Sequence, residues 1–521
     1  MATAVTASRS PLSLAALRSP FAVPSQSGPR PEHRGLSFWM NRVLEELETL
    51  RTSPEAETVH DLRVAIRRCR SLAVAMEEVD PDPAWPQTRK VARRLFRGLG
   101  AWRDAQVLED WIKKLIPESD PLGTRLLSSL AADEKQRSET ALRVAAKFDD
   151  KQWIELERQL RKRSRLIPAG SLAAECLALE RFEEAKELHN RALRTEKAKP
   201  WHALRIGVKR FRYTVEGLLP DHYAAWSENL KRIQDLLGDI HDLDVFQEKL
   251  GSEDSGAAAE SMRACEERAA RERSARIETY RQLTLGKTSL WHEWRHNLPY
   301  GQRLEAAVTA RIRATARAGD AHRRRTGQVA RLALRLFDIL RRANATPFFS
   351  EPAMRRVLQA AAKLHGIGTV GEHTQSQKEV RKYLLGLAVP PNWTSDEWDL
   401  MAWAVRFHRG AEPKEKNGFA KLSEDKKNAV RALAGILRLA RALRKEGVDT
   451  TRGLRSEKSA DAFVLRVPGL ADTAESAARL AAAKHLLELA LAKPLILKLA
   501  PLPDKESTSE EPVSEPPVVA A

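Results

Sequence analysis

The chain has 521 residues, with 88 Lys and Arg against 70 Asp and Glu, a formal surplus of +18. Its 42% hydrophobic content suffices for sizeable cores and excludes a wholly disordered chain. No apolar run approaches the ~20 residues of a membrane span. The surplus points to a polyanion, without choosing between nucleic acid, an acidic membrane surface and an inorganic polymer. Cys69, Cys176 and Cys265 lie far apart in the sequence. They offer neither a disulfide framework nor a Cys-rich metal site, and they suit a reducing compartment, so a cytoplasmic protein is expected.

Residues 1–34, rich in Ala, Ser, Pro and Arg, read as a disordered leader. Apolar residues at spacings of three and four then predict helices at about 37–50, 59–79 (capped by Thr58), 86–98, 103–116, 121–147 and 151–166. The prolines between Asp80 and Pro86 mark a turn, and Pro168 with Gly170 a break. Further helices are expected near 172–197, 201–218, 222–237, 242–250 and 255–282. Gly286, Pro299 and Gly301 suggest a boundary, with a second helical block from 302 to 500. Phe463, Leu465 and Val467 alternate, as do Leu495, Leu497 and Leu499, so these two runs are expected to pair as a small β element. From Pro501 to Ala521 the chain is an acidic, Pro-rich tail. The 12 tryptophans read as core residues, with Trp291 and Trp294 wedging the two blocks together.

The most informative feature is a duplication. One predicted helix carries His60, Arg63, Arg67 and Arg70, and another carries His202, Arg205, Lys209 and Arg212, in both cases spaced three, four, three. That spacing places four cationic or protonatable groups in one stripe, about 15 Å long at ~1.5 Å per residue. Leu62, Ile66 and Cys69 in one copy, and Leu204, Val208 and Phe211 in the other, lie on a different face suited to a core. A second block repeats as well: Arg93-Arg94, Leu99-Gly100, Arg103-Asp104 and Val107 correspond to Lys231-Arg232, Leu237-Gly238, His241-Asp242 and Val245. Like charges at these spacings repel by a few tenths of a kcal/mol per pair. Two such stripes facing one groove would be relieved by a polyanion, and arginine's planar fork suits phosphate oxygens.

At these residues positions 37–300 resemble the CHAD domain, the conserved histidine α-helical domain. His60-Asp61-Leu62-Arg63-Val64-Ala65-Ile66-Arg67-Arg68 carries the first motif and His202 to Tyr213 the second. The resemblance implies an all-α fold of two pseudo-symmetric helical bundles, in halves of about 35–168 and 172–284, around a basic channel. It also implies non-catalytic binding of inorganic polyphosphate and association with polyphosphate granules. The residues implied for binding are His60, Arg63, Arg67, Arg70, Arg93 and Arg94 in one half. In the other they are His202, Arg205, Lys209, Arg212, Lys231 and Arg232.

Residues 320–500 resemble the HD-type helical domain of the exopolyphosphatase and guanosine pentaphosphatase family, through 329–337, His365-Gly366, Phe407-His408-Arg409 and Leu437-Arg438-Leu439-Ala440. An active site of that type needs His, His-Asp and a later Asp to hold a divalent metal. Here Gly366 replaces the paired Asp, Arg441 stands at the late Asp, and the first His falls at or beside Arg325. His365, His373 and His408 remain. The expectation is therefore no enzyme, no metal and no cofactor, with Arg325, Arg409 and Arg441 as an alternative anion surface. Two rival readings stand beside polyphosphate binding. A nucleic-acid-binding protein fits the charge, but the stripes lack stacking aromatics apart from Phe211 and Tyr213. A metal-dependent phosphohydrolase would work through the C-terminal block. No membrane partner is expected, and the sequence leaves the oligomeric state open.

Overall fold

The computed structural model describes residues 35–251, 259–370, 373–374, 376–414, 417–448, 453–457, 459, 461–470 and 473–500. The leader and the acidic tail expected from the sequence lie outside the described residues. The chain divides into two compact units. The first runs to Ala314 and includes Pro390–Asn392; the second holds the rest.

The first unit is helical: α1 (Leu36–Thr52), α2 (Ala56–Glu77), α3 (Ala84–Gly98), α4 (Gly100–Leu115), α5 (Pro121–Ala132), α6 (Glu134–Ala146), α7 (Asp150–Arg163), α8 (Leu172–Ala192), α9 (Ala198–Leu218), α10 (Pro220–Gly251), α11 (Ala259–Thr284), α12 (Leu290–Asn297) and α13 (Gly301–Gly319), inside which the division falls. The predicted helix 121–147 is two helices, with Asp133 at the junction. The two predicted segments 222–237 and 242–250 are one 32-residue helix, α10. Gly238 does not break it, because Ile233, Leu237, Ile240 and Leu243 continue one buried stripe through the glycine. Thr58 lies inside α2 and does not cap it; the N-cap is Glu55.

The division of labour on α2 and α9 is as the spacing suggests. Leu62, Ala65, Ile66 and Cys69 of α2, and Leu204, Val208 and Phe211 of α9, are fully buried in one core. Truncating one such leucine costs about 2–5 kcal/mol. Trp291 and Trp294 belong to this same core, in edge-on and tilted contact with Phe182, Phe211 and Trp226, and so are part of the first unit's interior. All three cysteines are buried and free.

The second unit contains α14 (Arg323–Arg342), α15 (Pro352–Leu364), a short ladder of β1 (Thr369–Val370) with β2 (His373–Thr374), α16 (Gln377–Gly386), α17 (Ser395–Phe407), α18 (Asn417–Ala420), α19 (Glu424–Lys445), β3 (Arg455–Glu457), β4 (Phe463–Pro468), α20 (Ala474–Leu491) and β5 (Leu495–Ala500). The sheet order is β3-β4-β5. The two predicted runs do pair, in parallel, with Phe463 opposite Leu495 and Val467 opposite Leu499; β3, antiparallel to β4, was not foreseen. Capping boxes at Ser376 and Thr394 start α16 and α17. Gly435 lets α19 and α20 touch: a Cβ there would lie 2.7 Å from the backbone nitrogen of Leu487.

Candidate functional site

The two stripes meet. A cavity of about 590 Å³ in the first unit is lined by His60, Arg63 and Arg67 of α2, Arg205 and Lys209 of α9, Arg103, Asp104 and Trp111 of α4, Phe96 of α3, and Asp235, Asp239, His241 and Asp242 of α10. Each helix turns its apolar face inward, so the polar stripe is left facing the cavity.

Five of the twelve residues predicted to bind therefore line one cavity. His202 sits just behind it, its Nδ1 3.2 Å from that of His241. Arg70 lies further along α2, within the electrostatic reach of Arg89, Arg93 and Arg97 on α3. Arg212 and Lys231 act on Asp235. Arg94 and Arg232 are exposed and do not line the cavity.

The cations are held close to one another with few direct ion pairs. Among the described residues Arg67, Arg205 and Lys209 make no ion pair within 4.0 Å, and the Nε atoms of Arg67 and Arg205 are buried without a hydrogen-bond partner. Arg63 is 3.6 Å from Asp104. Burial lowers the Arg63 guanidinium to about 10, with Asp104 opposing and Arg67, Arg103 and Arg205 adding to the fall. Lys209 is pushed down to about 7 by burial, then by Arg205 and Arg67, with Asp242 opposing. His60 is lowered by burial, Arg103 and Arg67, and His202 by burial, Arg205 and Lys209. His241 falls to about 4 for the same kinds of reason. At neutral pH these histidines are hydrogen-bonding groups, not cations.

The sequence reading missed the carboxylates. Asp104, Asp235, Asp239 and Asp242 all line the cavity, so five cations face four acids there. Asp239 is committed to Arg276 on α11, at 2.9 Å. Burial raises Asp235 and Asp242. The signal was available, since Arg103-Asp104 and His241-Asp242 hold matching places in the repeat. The aromatics were missed too. Phe96 carries Arg63 over its ring at 4.2 Å and Arg70 at 5.3 Å, so this ring braces two arginines.

In the second unit His365 and His408 are buried with ring centroids 5.1 Å apart. Their Nδ1 atoms face the carbonyls of Ala362 and Val405, at 2.8 and 2.5 Å. Burial lowers His365 to about 4, and Arg441 and Arg409 push the same way. A carboxylate missed from the sequence lies close by. Asp320, buried, occupies the space beside Gly366, where a Cβ would stand 2.6 Å from its carboxyl group and from Thr326 Oγ1. Arg441 donates to the His408 carbonyl at 3.3 Å. Arg409 acts on Arg441, whereas Arg325 is exposed and is not among the charges acting on it. The side chain of His373 lies outside the described residues. Among the described residues no group of three or more His, Cys, Asp and Glu could hold a metal ion, and no helix is long and apolar enough to cross a membrane.

Comparison with known proteins matches both blocks. Residues 39–251 match the CHAD domain, and residues 311–484 match domain III of the Ppx/GppA phosphatases. The chain is also similar to a solved structure of the CHAD domain from the plant Ricinus communis, at 21% identity and a TM-score of 0.38, over 51% of this chain and 96% of that one. No curated protein matches.

Proposed function

We propose that the first unit binds inorganic polyphosphate in the cavity between α2 and α9. The observation that carries this reading is the convergence of Arg63, Arg67, Arg205 and Lys209 on one cavity, three of them without an ion pair among the described residues. Half-buried guanidinium groups with carboxylates nearby but no direct ion pair are costly in the free protein. An incoming chain of phosphates supplies the missing anions and the bidentate acceptors that arginine's fork matches. A match to the CHAD domain over 39–251 and to a Ppx/GppA phosphatase domain over 311–484 supports a polyphosphate-related role. Binding of this kind would bring the protein to polyphosphate granules.

The same reading treats the protein as a binder and not a hydrolase. Gly366 and Arg441 stand where a metal-binding HD site needs carboxylates, and the Arg441 charge bears on both histidines. Asp320 fills the space beside Gly366 but is engaged by the backbone N–H of His322 at 2.7 Å.

The test is competition. Long-chain polyphosphate and single-stranded RNA are titrated against the full chain at equal phosphate concentration and several salt concentrations. Both should weaken with salt. Polyphosphate should displace RNA; displacement of polyphosphate by RNA would favour a nucleic-acid role. Incubation with polyphosphate and Mg²⁺ or Mn²⁺ should release no phosphate. Steady metal-dependent release abolished by His365→Ala would overturn the non-catalytic reading.

A further inference from the structure

The two halves that supply matched stripes do not supply matched walls. Arg89, Arg93 and Arg97 recur every fourth residue along α3, one face of the helix, and all three act on Arg70 at the end of the α2 stripe. Arg89 is neutralised by an ion pair with Glu77. Among the described residues Arg70, Arg93 and Arg97 have no ion pair.

In the repeat that equates Arg93-Arg94 with Lys231-Arg232, position 97 corresponds to Asp235, 101 to Asp239 and 103 to His241. The α10 wall thus carries a carboxylate where α3 carries Arg97, a second, itself paired with Arg276, where α4 carries Ala101, and a mainly neutral histidine where α4 carries Arg103. Arg212, the counterpart of Arg70, faces Tyr223 and Glu216 instead of a row of arginines. The backbone is duplicated, but the potential across the groove is not: one wall attracts phosphate and the other repels it.

We infer that the groove is one-sided: a phosphate chain lies against α2 and the α3–α4 wall and leaves past Arg70, Arg93 and Arg97, while Asp235 on α10 keeps it off the opposite wall. The inference rests on the polyphosphate reading above and adds Arg97 as a binding residue and Asp235 as the residue that sets the path. Arg97 is exposed and contributes nothing to the core, so its replacement leaves the fold intact.

The experiment measures long-chain polyphosphate affinity of the full chain at fixed pH and salt for wild type, Arg97→Asp, Lys231→Asp, Asp235→Arg and the Arg67→Glu/Lys209→Glu pair. Arg97→Asp should weaken binding about tenfold, and Lys231→Asp clearly less. Asp235→Arg, which gives the second half what the first has, should tighten binding severalfold. Equal losses for Arg97→Asp and Lys231→Asp, or no gain from Asp235→Arg, overturn the one-sided path. If binding still collapses in the Arg67→Glu/Lys209→Glu pair, the polyphosphate reading survives that result. A wild-type chain that binds no polyphosphate overturns both.

Discussion

Arg68 on α2 donates through Nε and Nη2 to the same carboxylate oxygen of Glu216 on α9, at 2.8 and 2.7 Å, and so ties together the two helices that carry the cationic stripes. Arg68 also lies over the Trp39 ring at 4.2 Å, which anchors the pair to α1. The two side chains are 19% and 13% exposed, so removing one leaves the other charged and largely out of water. Glu216→Gln should lower the free energy of unfolding by about 1–3 kcal/mol, less than for a fully buried pair. Urea unfolding monitored by circular dichroism checks this; an unchanged midpoint would mean that the pair does not hold the helices together.

Lys209 should make binding sensitive to pH near neutrality. Its ammonium is held down to about 7 by burial and by Arg205 and Arg67, with Arg63 also facing it and Asp242 opposing. Phosphate beside it favours the charged form, so binding takes up a proton where free Lys209 is neutral. Affinity should be full below about pH 7 and decline above it. The nearby histidines His60, His202 and His241 are lowered from their usual value and titrate below this window. Lys209→Arg, the residue found at the matching Arg67, should flatten the profile between pH 6 and 8.5. A decline of the same size in that variant would assign the effect elsewhere. For stability the sign is opposite. A lysine lowered on folding penalises the folded state fully below about pH 7, and the penalty fades as pH rises toward its ordinary value.

Asp242 should oppose ligand binding directly. It lines the cavity and acts on Arg205 and Lys209. Asp242→Asn, measured at pH 6, below the point where Lys209 loses its proton in the wild-type protein, should tighten polyphosphate binding by about threefold to tenfold. Weaker binding would show that Asp242 positions the cations instead of offsetting them.

Restoring the motif carboxylate in the second unit should not restore a site. Gly366→Asp forces a side chain into space filled by Asp320 and Thr326, which should destabilise the second unit by about 2 kcal/mol or more. The variant should release no phosphate from polyphosphate with Mg²⁺. Thermal unfolding that is unshifted would mean Asp320 moves aside freely.

Much of the groove was legible because a helix converts sequence spacing into a face. His60, Arg63 and Arg67, and Arg205 with Lys209, could be placed on one stripe each from the three-and-four spacing, and the duplication suggested that the stripes face each other. The carboxylates were harder to see. Asp235 and Asp239 reach the cavity only because α10 runs unbroken through Gly238, and the apparent break there hid their common face with Asp242. Arg93, Arg94, Lys231 and Arg232 were carried over as the basic pairs of the repeat, yet all four are exposed and none of them lines the cavity. In the second unit Gly366 read as a missing carboxylate; that Asp320, 46 residues earlier, fills the same space is a tertiary fact that no local spacing encodes.

The central claim is that Arg67 and Lys209 face one bound polyphosphate chain. The most direct measurement is a binding titration of long-chain polyphosphate with wild type and with the Arg67→Glu/Lys209→Glu pair across salt concentrations. The account predicts that the variant, folded by circular dichroism, loses about a hundredfold or more in affinity and shows a shallower salt dependence. A folded variant with wild-type affinity and the same salt dependence would contradict it.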